Sequence, residues 1–138
     1  GGVNTSTKDY IAYCFHSVDG YSKVGSYTGN GSTDGTFVYT GFRPAYVMIK
    51  QNGNSGWMIY DSKRSETNQA NEYLQAQVTN IEVSSATDNP IDFLSNGIKM
   101  RYNNSATNYS NGTFIFLAFA EVPFKFSNAR WYEKNTST

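Results

Sequence analysis

Apolar and polar residues alternate with a period of two along most of the chain, which is the pattern of strands that bury one face. The first such run places Ile11, Tyr13 and Phe15 on one side of an extended chain. Branched and aromatic side chains of this kind fit the pleated surface of a sheet. The pattern predicts eight strands, which are Tyr10–His16, Tyr21–Tyr27, Thr36–Thr40, Ala45–Gln51, Trp57–Ser62, Ile91–Leu94, Ile98–Tyr102 and Thr113–Glu121.

Two segments depart from simple alternation. Ser65–Asn80 has a helix-forming composition but few apolar positions, so it predicts either a short helix or a long loop. Thr113–Glu121 is apolar on both faces, as a strand that is covered on both sides should be. Because Tyr10–His16 is a similarly apolar run, we expect both segments to be central strands and candidates for neighbours in one sheet.

The turns agree with an antiparallel arrangement. Asn-Gly occurs four times, and this pair suits the positive φ angles of a type I′ hairpin turn. The clearest hairpin spans Ile91–Tyr102 around Asn96–Gly97, and a second joins Ala45–Gln51 to Trp57–Ser62. The chain is therefore predicted to be all-β, an antiparallel β-sandwich of jelly-roll or lectin-like type with about eight strands.

A chain of 138 residues is long enough for one domain with its own core. Its 11 Tyr, 9 Phe and 2 Trp supply much of that core, because each aromatic ring buries about 150–250 Å². We expect residues 1–8 to be a linker or N-terminal extension, residues 9–126 to form the sandwich, and residues 127–138 to be a C-terminal tail.

The charge and the cysteine content exclude several classes of partner. The 11 basic and 11 acidic residues are dispersed and give a net charge of +0, so no basic stripe indicates a nucleic acid. No apolar run is long enough for membrane insertion. The single cysteine, Cys14, is expected to lie in the core on a strand. His16 follows it on the same strand face, but no third group completes a nucleophile and base.

No set of residues predicts catalysis, and we expect neither an enzyme nor a cofactor. The acidic residues lie mostly in turns and at strand ends, where carboxylates are normally solvated rather than paired across a cleft. The glycine-rich stretch Gly25–Gly35 lacks the lysine and the helix of a phosphate-binding loop. Asp34 within it is a weak candidate for a calcium ligand, and a plain turn is the favoured interpretation.

Surface loops hold the remaining chemistry. Tyrosine, tryptophan, asparagine and serine form an adaptable binding surface of flat rings and hydrogen-bonding amides. The loop Tyr102–Asn111 is the richest in these residues, although an ordinary polar loop has the same composition. The candidate ligand-binding residues are Trp57, Tyr102, Asn104, Tyr109 and Asn111.

Four motifs in a fixed order carry a resemblance to a known family: G-S-Y-x-G-N-G-S, G-F-R-P-A, W-x-I-Y-D-S-K-R and D-F-L-S-N-G. They resemble an uncharacterised domain of phage tail fibres and other virion structural proteins, found in marine and related phages and often near concanavalin A-like lectin domains. The resemblance covers about Asp9 to Arg130. The chain departs from it at Cys14–His16 and in the last residues, Trp131–Thr138.

The resemblance implies a β-sandwich in a virion, within a tail fibre or other external appendage, and no catalytic residues. Other virion subunits are then the expected partners, including further copies of the chain in a homo-oligomer. The expected function is attachment to a host-surface glycan or protein, the alternative is a purely structural role in capsid decoration or fibre assembly, and a lectin-like hydrolase ranks far behind both. Loops rich in Tyr, Asn and Ser favour the first, and the large aromatic content of a neutral chain favours the second.

Overall fold

The computed structural model of the chain describes residues 5–53, 55–85 and 87–122. These residues form nine strands and no helix, which confirms the predicted all-β fold: β1 (Ser22–Thr28), β2 (Phe37–Tyr39), β3 (Pro44–Gln51), β4 (Trp57–Asp61), β5 (Glu72–Gln75), β6 (Val83–Ser84), β7 (Ile91–Leu94), β8 (Gly97–Met100) and β9 (Thr113–Ala120). None of the described residues belongs to a helix long and apolar enough to cross a membrane. The predicted tail, residues 127–138, lies outside the described residues.

The strands form two antiparallel sheets. The larger sheet has six strands in the order β1-β9-β3-β4-β5-β6, and the smaller has three in the order β2-β8-β7. β9 pairs along its full length with β1, from Thr28↔Thr113 to Ser22↔Phe119, and on its other edge with β3. The run at residues 113–120 is therefore a central strand, as predicted.

The core lies between the inward faces of the two sheets. The larger sheet contributes Phe114 and Tyr60, and the smaller sheet contributes Phe93 and Ile98, all at most 1% exposed. Tyr27 stacks on Phe114 with ring centroids 4.9 Å apart. Aromatic rings thus fill much of the space between the sheets, so that few side chains are needed to reach the close packing of a protein interior.

Both predicted hairpins are present, but the turn of the first differs from the prediction. Gly97 is already part of β8 and pairs with Leu94, so the two turn residues are Ser95 and Asn96 rather than Asn96 and Gly97. Glycine is needed here for close approach, because a Cβ atom at Gly97 would lie 2.2 Å from the Val38 carbonyl oxygen. The Asn-Gly pair therefore serves the contact between β2 and β8.

The predicted strand at residues 10–16 is wrong, as is the expected burial of Cys14. These residues form no strand, and Cys14 is exposed. The physical reason is that β9 already has β1 and β3 as neighbours, which leaves only the outer edge of β1 for another strand. Residues 16–18 meet that edge without forming a strand, through the bridge between Val18 and Ser22 and through hydrogen bonds of the Ser17 side chain and the His16 carbonyl.

Two further expectations need correction. β9 is not covered on both faces: its inward residues are buried, but Ile115 on the outward face is 47% exposed. The segment at residues 65–80, predicted as a helix or a loop, contains β5, which extends the larger sheet beyond β4. β5 was missed because its four residues carry one buried aromatic side chain, Tyr73, and too short an alternation to be recognised.

Candidate functional site

Amide side chains fix the connection between β8 and β9 to the neighbouring loops. Asn108 is fully buried, and its Oδ1 accepts a hydrogen bond from the Asn30 main-chain N–H at 3.1 Å. Its Nδ2 donates to Asn30 Oδ1 at 2.9 Å and to the Ser32 carbonyl at 2.8 Å. Asn108 was not among the predicted binding residues, because no local sequence pattern distinguishes it from the exposed asparagines nearby.

Asn104, a candidate ligand-binding residue, is also tied into the fold. Its Nδ2 donates to Asp88 Oδ1 at 3.0 Å, and its Oδ1 accepts from the Ala106 main-chain N–H at 3.0 Å. Asp88 in turn accepts a hydrogen bond from the Tyr73 hydroxyl at 2.8 Å. Burial, reinforced by this bond, raises the pKa of Tyr73 to about 12. The Asn104 amide is thus largely used within the protein.

Two of the candidates present their side chains to solvent. Tyr109 is 55% exposed, and Asn111 is exposed with a φ of 59°, in the left-handed region that asparagine tolerates better than most residues. Tyr102 is half-buried. The loop Tyr102–Asn111 is attached to the core by the Tyr27 hydroxyl, which donates a hydrogen bond to the Thr107 carbonyl at 2.6 Å. The loop therefore combines a fixed base with a polar, partly aromatic tip.

Trp57, the fifth candidate, lies on a different surface. It is the first residue of β4, is 37% exposed, and faces outward from the larger sheet beside Lys50 of β3. The loop that contains Tyr109 leads into β9. Two strand spacings, about 10 Å, separate β9 from β4 in the sheet. The structure therefore groups Tyr109 with Asn111 and places Trp57 with the outward face of the sheet.

That outward face is apolar across most of its width. The register aligns one side chain from each of five successive strands in a single row, namely Val24, Leu117, Met48, Ile59 and Leu74. Lys50, in the next row, turns its ammonium group away to the carbonyls of Gln51 and Gly53, at 2.6 and 2.7 Å. Charge is therefore directed away from the middle of this face.

An open groove of about 740 Å³ runs along this face, and we call it the outer groove. Near its Phe119 end, three aromatic rings, those of Phe15, Tyr21 and Tyr46, have centroids 5.9–6.1 Å from the Phe119 ring. None of its lining residues is charged: they are Tyr13, Phe15, Val24, Gly25, Ser26, Tyr46, Met48, Trp57, Ile115, Phe116, Leu117 and Phe119. The sequence feature that corresponds to the groove is the apolar outward face of β9. This face was predicted to be covered within the chain, so no groove was expected there.

Residues 10–18, here the N-terminal segment, form one rim of the outer groove. The segment is anchored at its end, where the Ser22 hydroxyl donates to the His16 carbonyl at 2.9 Å and the Ser17 hydroxyl accepts from the Val24 N–H at 3.0 Å. Beyond this anchor the side chains stand out from the body, with Ile11 and Tyr13 each 82% exposed. The segment thus borders the groove without filling it.

Over residues 1–123, the sequence matches a family described as a domain of unknown function, DUF7483. The chain belongs to the DUF7483 family. The match includes all nine strands and the N-terminal segment, so the outer groove is part of the DUF7483 domain itself. The family description states no activity or ligand. Comparisons with curated proteins and with solved structures gave no significant match.

Asp34, the weak candidate for a calcium ligand, has cationic partners in this DUF7483 domain. Asp34 lies 2.5 Å from the Lys99 ammonium and 3.9 Å from Arg101, and the hydrogen bond and charge of Lys99 lower the pKa of Asp34. Two cationic side chains beside Asp34 would repel a calcium ion. Within the described residues, no group of three or more His, Cys, Asp or Glu side chains could hold a metal ion.

Proposed function

We propose that this domain is a non-catalytic structural module of a phage virion, in a tail fibre or another external appendage, and that it works by binding other virion subunits. The observation that carries this proposal is the outer groove, an uncharged apolar depression on the outward face of the six-stranded sheet. Large exposed apolar patches on soluble proteins mark surfaces for interaction. The virion location rests on the four sequence motifs.

The composition of the groove favours a protein partner over a sugar. The core of a protein interface is rich in aromatic residues and methionine and poor in charge, and the groove has Trp57, Tyr46, Met48 and Phe119 with no charged residue. A sugar presents many hydroxyl groups, each of which needs a polar partner when it leaves water. The hydroxyls of Ser26, Tyr13 and Tyr46 and the indole N–H of Trp57 are the few polar side-chain groups in this lining.

The placement of the acidic residues supports a non-catalytic role. Glu121 pairs with Arg43 at 2.9 Å, and Asp92 pairs with Arg101 at 2.5 Å. Asp61 accepts from the Arg64 side chain at 3.1 Å. Hydrolytic acids and bases need carboxyl groups directed toward a substrate in a cleft. These three carboxylates are instead paired with arginine side chains of the same chain.

Mass spectrometry of purified phage particles tests the proposal. The chain should be present in mature particles, and chemical cross-linking before digestion should join Lys50, at one end of the outer groove, to a residue of another subunit. Lys63, which is exposed on the turn after β4, is the comparison lysine, because it lines neither the outer groove nor the adjoining depression that Lys50 lines. Absence of the chain from mature particles would refute the proposal.

Host-surface attachment is a second candidate, favoured by the exposed Tyr109 on a loop with a fixed base. A rigid, solvent-exposed ring binds with little loss of conformational entropy. Tyr109→Ala should then reduce binding of the isolated domain to host cells by about tenfold, with an unchanged melting temperature. Tyr39→Ala, at a 62% exposed ring on the smaller sheet, is the matched control and should bind normally. Equal binding by both variants would eliminate this candidate.

A further inference from the structure

We infer that the outer groove binds the N-terminal segment of a second copy of this chain, so that two copies form a reciprocal dimer. The inference rests on the proposed function and names the partner of its binding surface. Ile11 and Tyr13 of one copy would occupy the groove of the other between β1, β9, β3 and β4.

The N-terminal segment leaves the groove of its own chain open. Its anchor at His16 to Val18 places Phe15 against Phe119, with ring centroids 6.1 Å apart. Phe15 nevertheless stays 56% exposed, and Tyr13 stays 82% exposed although it lines the groove. A groove of about 740 Å³ therefore persists beside apolar side chains that none of the residues described in the structure covers. A contact that covers the groove and the N-terminal segment at once removes more apolar area from water than a contact that covers either one alone.

Charge permits two copies to meet on this face. Residues 10–18 contain no Asp, Glu, Lys or Arg, the groove lining contains none, and the whole chain has a net charge of +0. Lys8 and Asp9, just before the segment, carry opposite charges. Two copies therefore meet without electrostatic repulsion, and no buried charge would be left without a partner.

The sheet edges are protected, which directs association to the face. On the open edge of β1, Ser22 bonds with Val18, Val24 bonds with the Ser17 hydroxyl, and the Thr28 carbonyl accepts from the Thr36 hydroxyl. The opposite edge of this sheet is β6, a strand of only two residues. Such short or capped edges prevent strand addition by another chain. An apolar partner is therefore expected to bind to the outward face of the sheet rather than to its edges.

The area is sufficient for a stable dimer. β1, β9, β3 and β4 have 7, 8, 8 and 5 residues, so together they offer about 440 Å² of sheet surface at about 3.3 Å per residue and about 4.8 Å between strands. The exposed side chains of the N-terminal segment add about 300 Å². The sum of about 740 Å² lies within the roughly 600–1,000 Å² per partner of a standard interface. Because groove and segment share one face, a two-fold axis brings each segment to the other groove.

Analytical ultracentrifugation of the full 138-residue chain over a concentration series tests the inference. The wild type should sediment as a dimer. Ile11→Asp, in a segment without secondary structure, and Ile115→Lys, on the groove floor, should each weaken dimerisation by about tenfold or more. Ile81→Asp is the matched control, since Ile81 is 90% exposed near β6, and it should dimerise like the wild type.

Mixing the two variants gives a sharper test. A mixed dimer of Ile11→Asp with Ile115→Lys has one intact segment-and-groove contact, so the mixture should dimerise more tightly than either variant alone. A monomeric wild type, with or without a bound small apolar molecule, would overturn the inference. So would a dimer that both variants leave intact. A monomeric chain that is present in phage particles would refute the inference alone, whereas a dimer absent from particles would refute the proposed function alone.

Discussion

Asn108 shows how one amide determines the shape of a surface loop. Its two ends bond to Asn30 and Ser32, which lie on a loop more than 70 residues earlier in the chain. The residue is fully buried, whereas Asn103 and Asn111 of the same connection are exposed. Asparagines that are close together in sequence thus have different roles: one is buried and stabilises the loop, whereas the others face solvent.

We expect Asn108→Ala to lower the free energy of unfolding by about 1–3 kcal/mol, because the Asn30 N–H loses a buried partner. Urea denaturation measures the change. Asn103→Ala, at an exposed position in the same connection, is the control and should change stability by no more than about 0.5 kcal/mol. Equal losses in the two variants would show that the network around Asn108 does not support the loop.

At the scale of elements, the contact between β2 and β8 depends on the absence of a side chain. β2 has three residues and pairs only with β8, through Phe37↔Lys99, Val38↔Ile98 and Tyr39↔Gly97. The Phe37 ring lies close above Gly97, where an added Cβ atom would come within 2.9 Å of it. Because β2 has only three paired residues, a small displacement from β8 would disrupt much of its pairing. One added methyl group at the contact is therefore enough to weaken it.

Gly97→Ala should therefore destabilise the protein by about 3 kcal/mol or more, since the rigid Val38 carbonyl cannot yield as a flexible side chain would. Gly53→Ala is the control, because the nearest atom to its added Cβ would be 3.6 Å away on the Gln51 side chain. Thermal unfolding of both variants measures the difference. A Gly97→Ala variant that melts with the wild type would mean that β2 moves freely against β8.

Local patterns revealed those elements in which alternation, partner and turn lie close together in sequence. β7 with β8 and β3 with β4 are hairpins of this kind, and both were predicted. The N-terminal segment has the same alternation, but whether it finds an edge depends on the order of strands in the sheet, which no local pattern encodes. The outer groove escaped prediction for a related reason: an apolar face of β9 indicates that something covers it, but not whether the cover is in the same chain.

The candidate residues divide in the same way. Tyr109 and Asn111 are exposed, as residues of a binding loop should be, and their role stays a prediction. Asn104 could not be distinguished from them in sequence, because its partner Asp88 lies on another connection. Composition thus indicated which residue types lie at the surface. Hydrogen bonds between residues distant in sequence determine which of these side chains are free to bind a ligand.

At the scale of the whole molecule, tyrosine hydroxyls join the core to the polar connections. The hydroxyls of Tyr27 and Tyr60 donate to the carbonyls of Thr107 and Asn89, at 2.6 and 2.8 Å, and Tyr73 donates to Asp88. Burial raises the pKa values of Tyr27 and Tyr60 well above their ordinary value. All three rings are at most 9% exposed, so ionisation of any of these hydroxyls would place a charge in the core and destabilise the fold.

Stability should consequently fall in alkaline solution. The unfolded chain releases the Tyr73 proton near the ordinary pKa of 10.0, whereas the folded chain holds it to about 12. Folding therefore gains its full contribution from this group below the unfolded pKa and loses it as the pH rises through this interval. Unfolding free energies from urea titrations across the interval measure the loss, and Tyr73→Phe should show a smaller one. A constant free energy of unfolding would contradict the assignment.

The central position of β9 also has a consequence for biosynthesis. β1 and β3 do not pair with each other in the native sheet: both pair with β9, which follows them by some sixty residues or more. While a ribosome is still translating the segment before Thr113, β1 has no strand to pair with, and β3 can pair only with β4. The larger sheet must therefore close after nearly the whole domain has emerged, and a nascent chain exposes its apolar strands to chaperones until then.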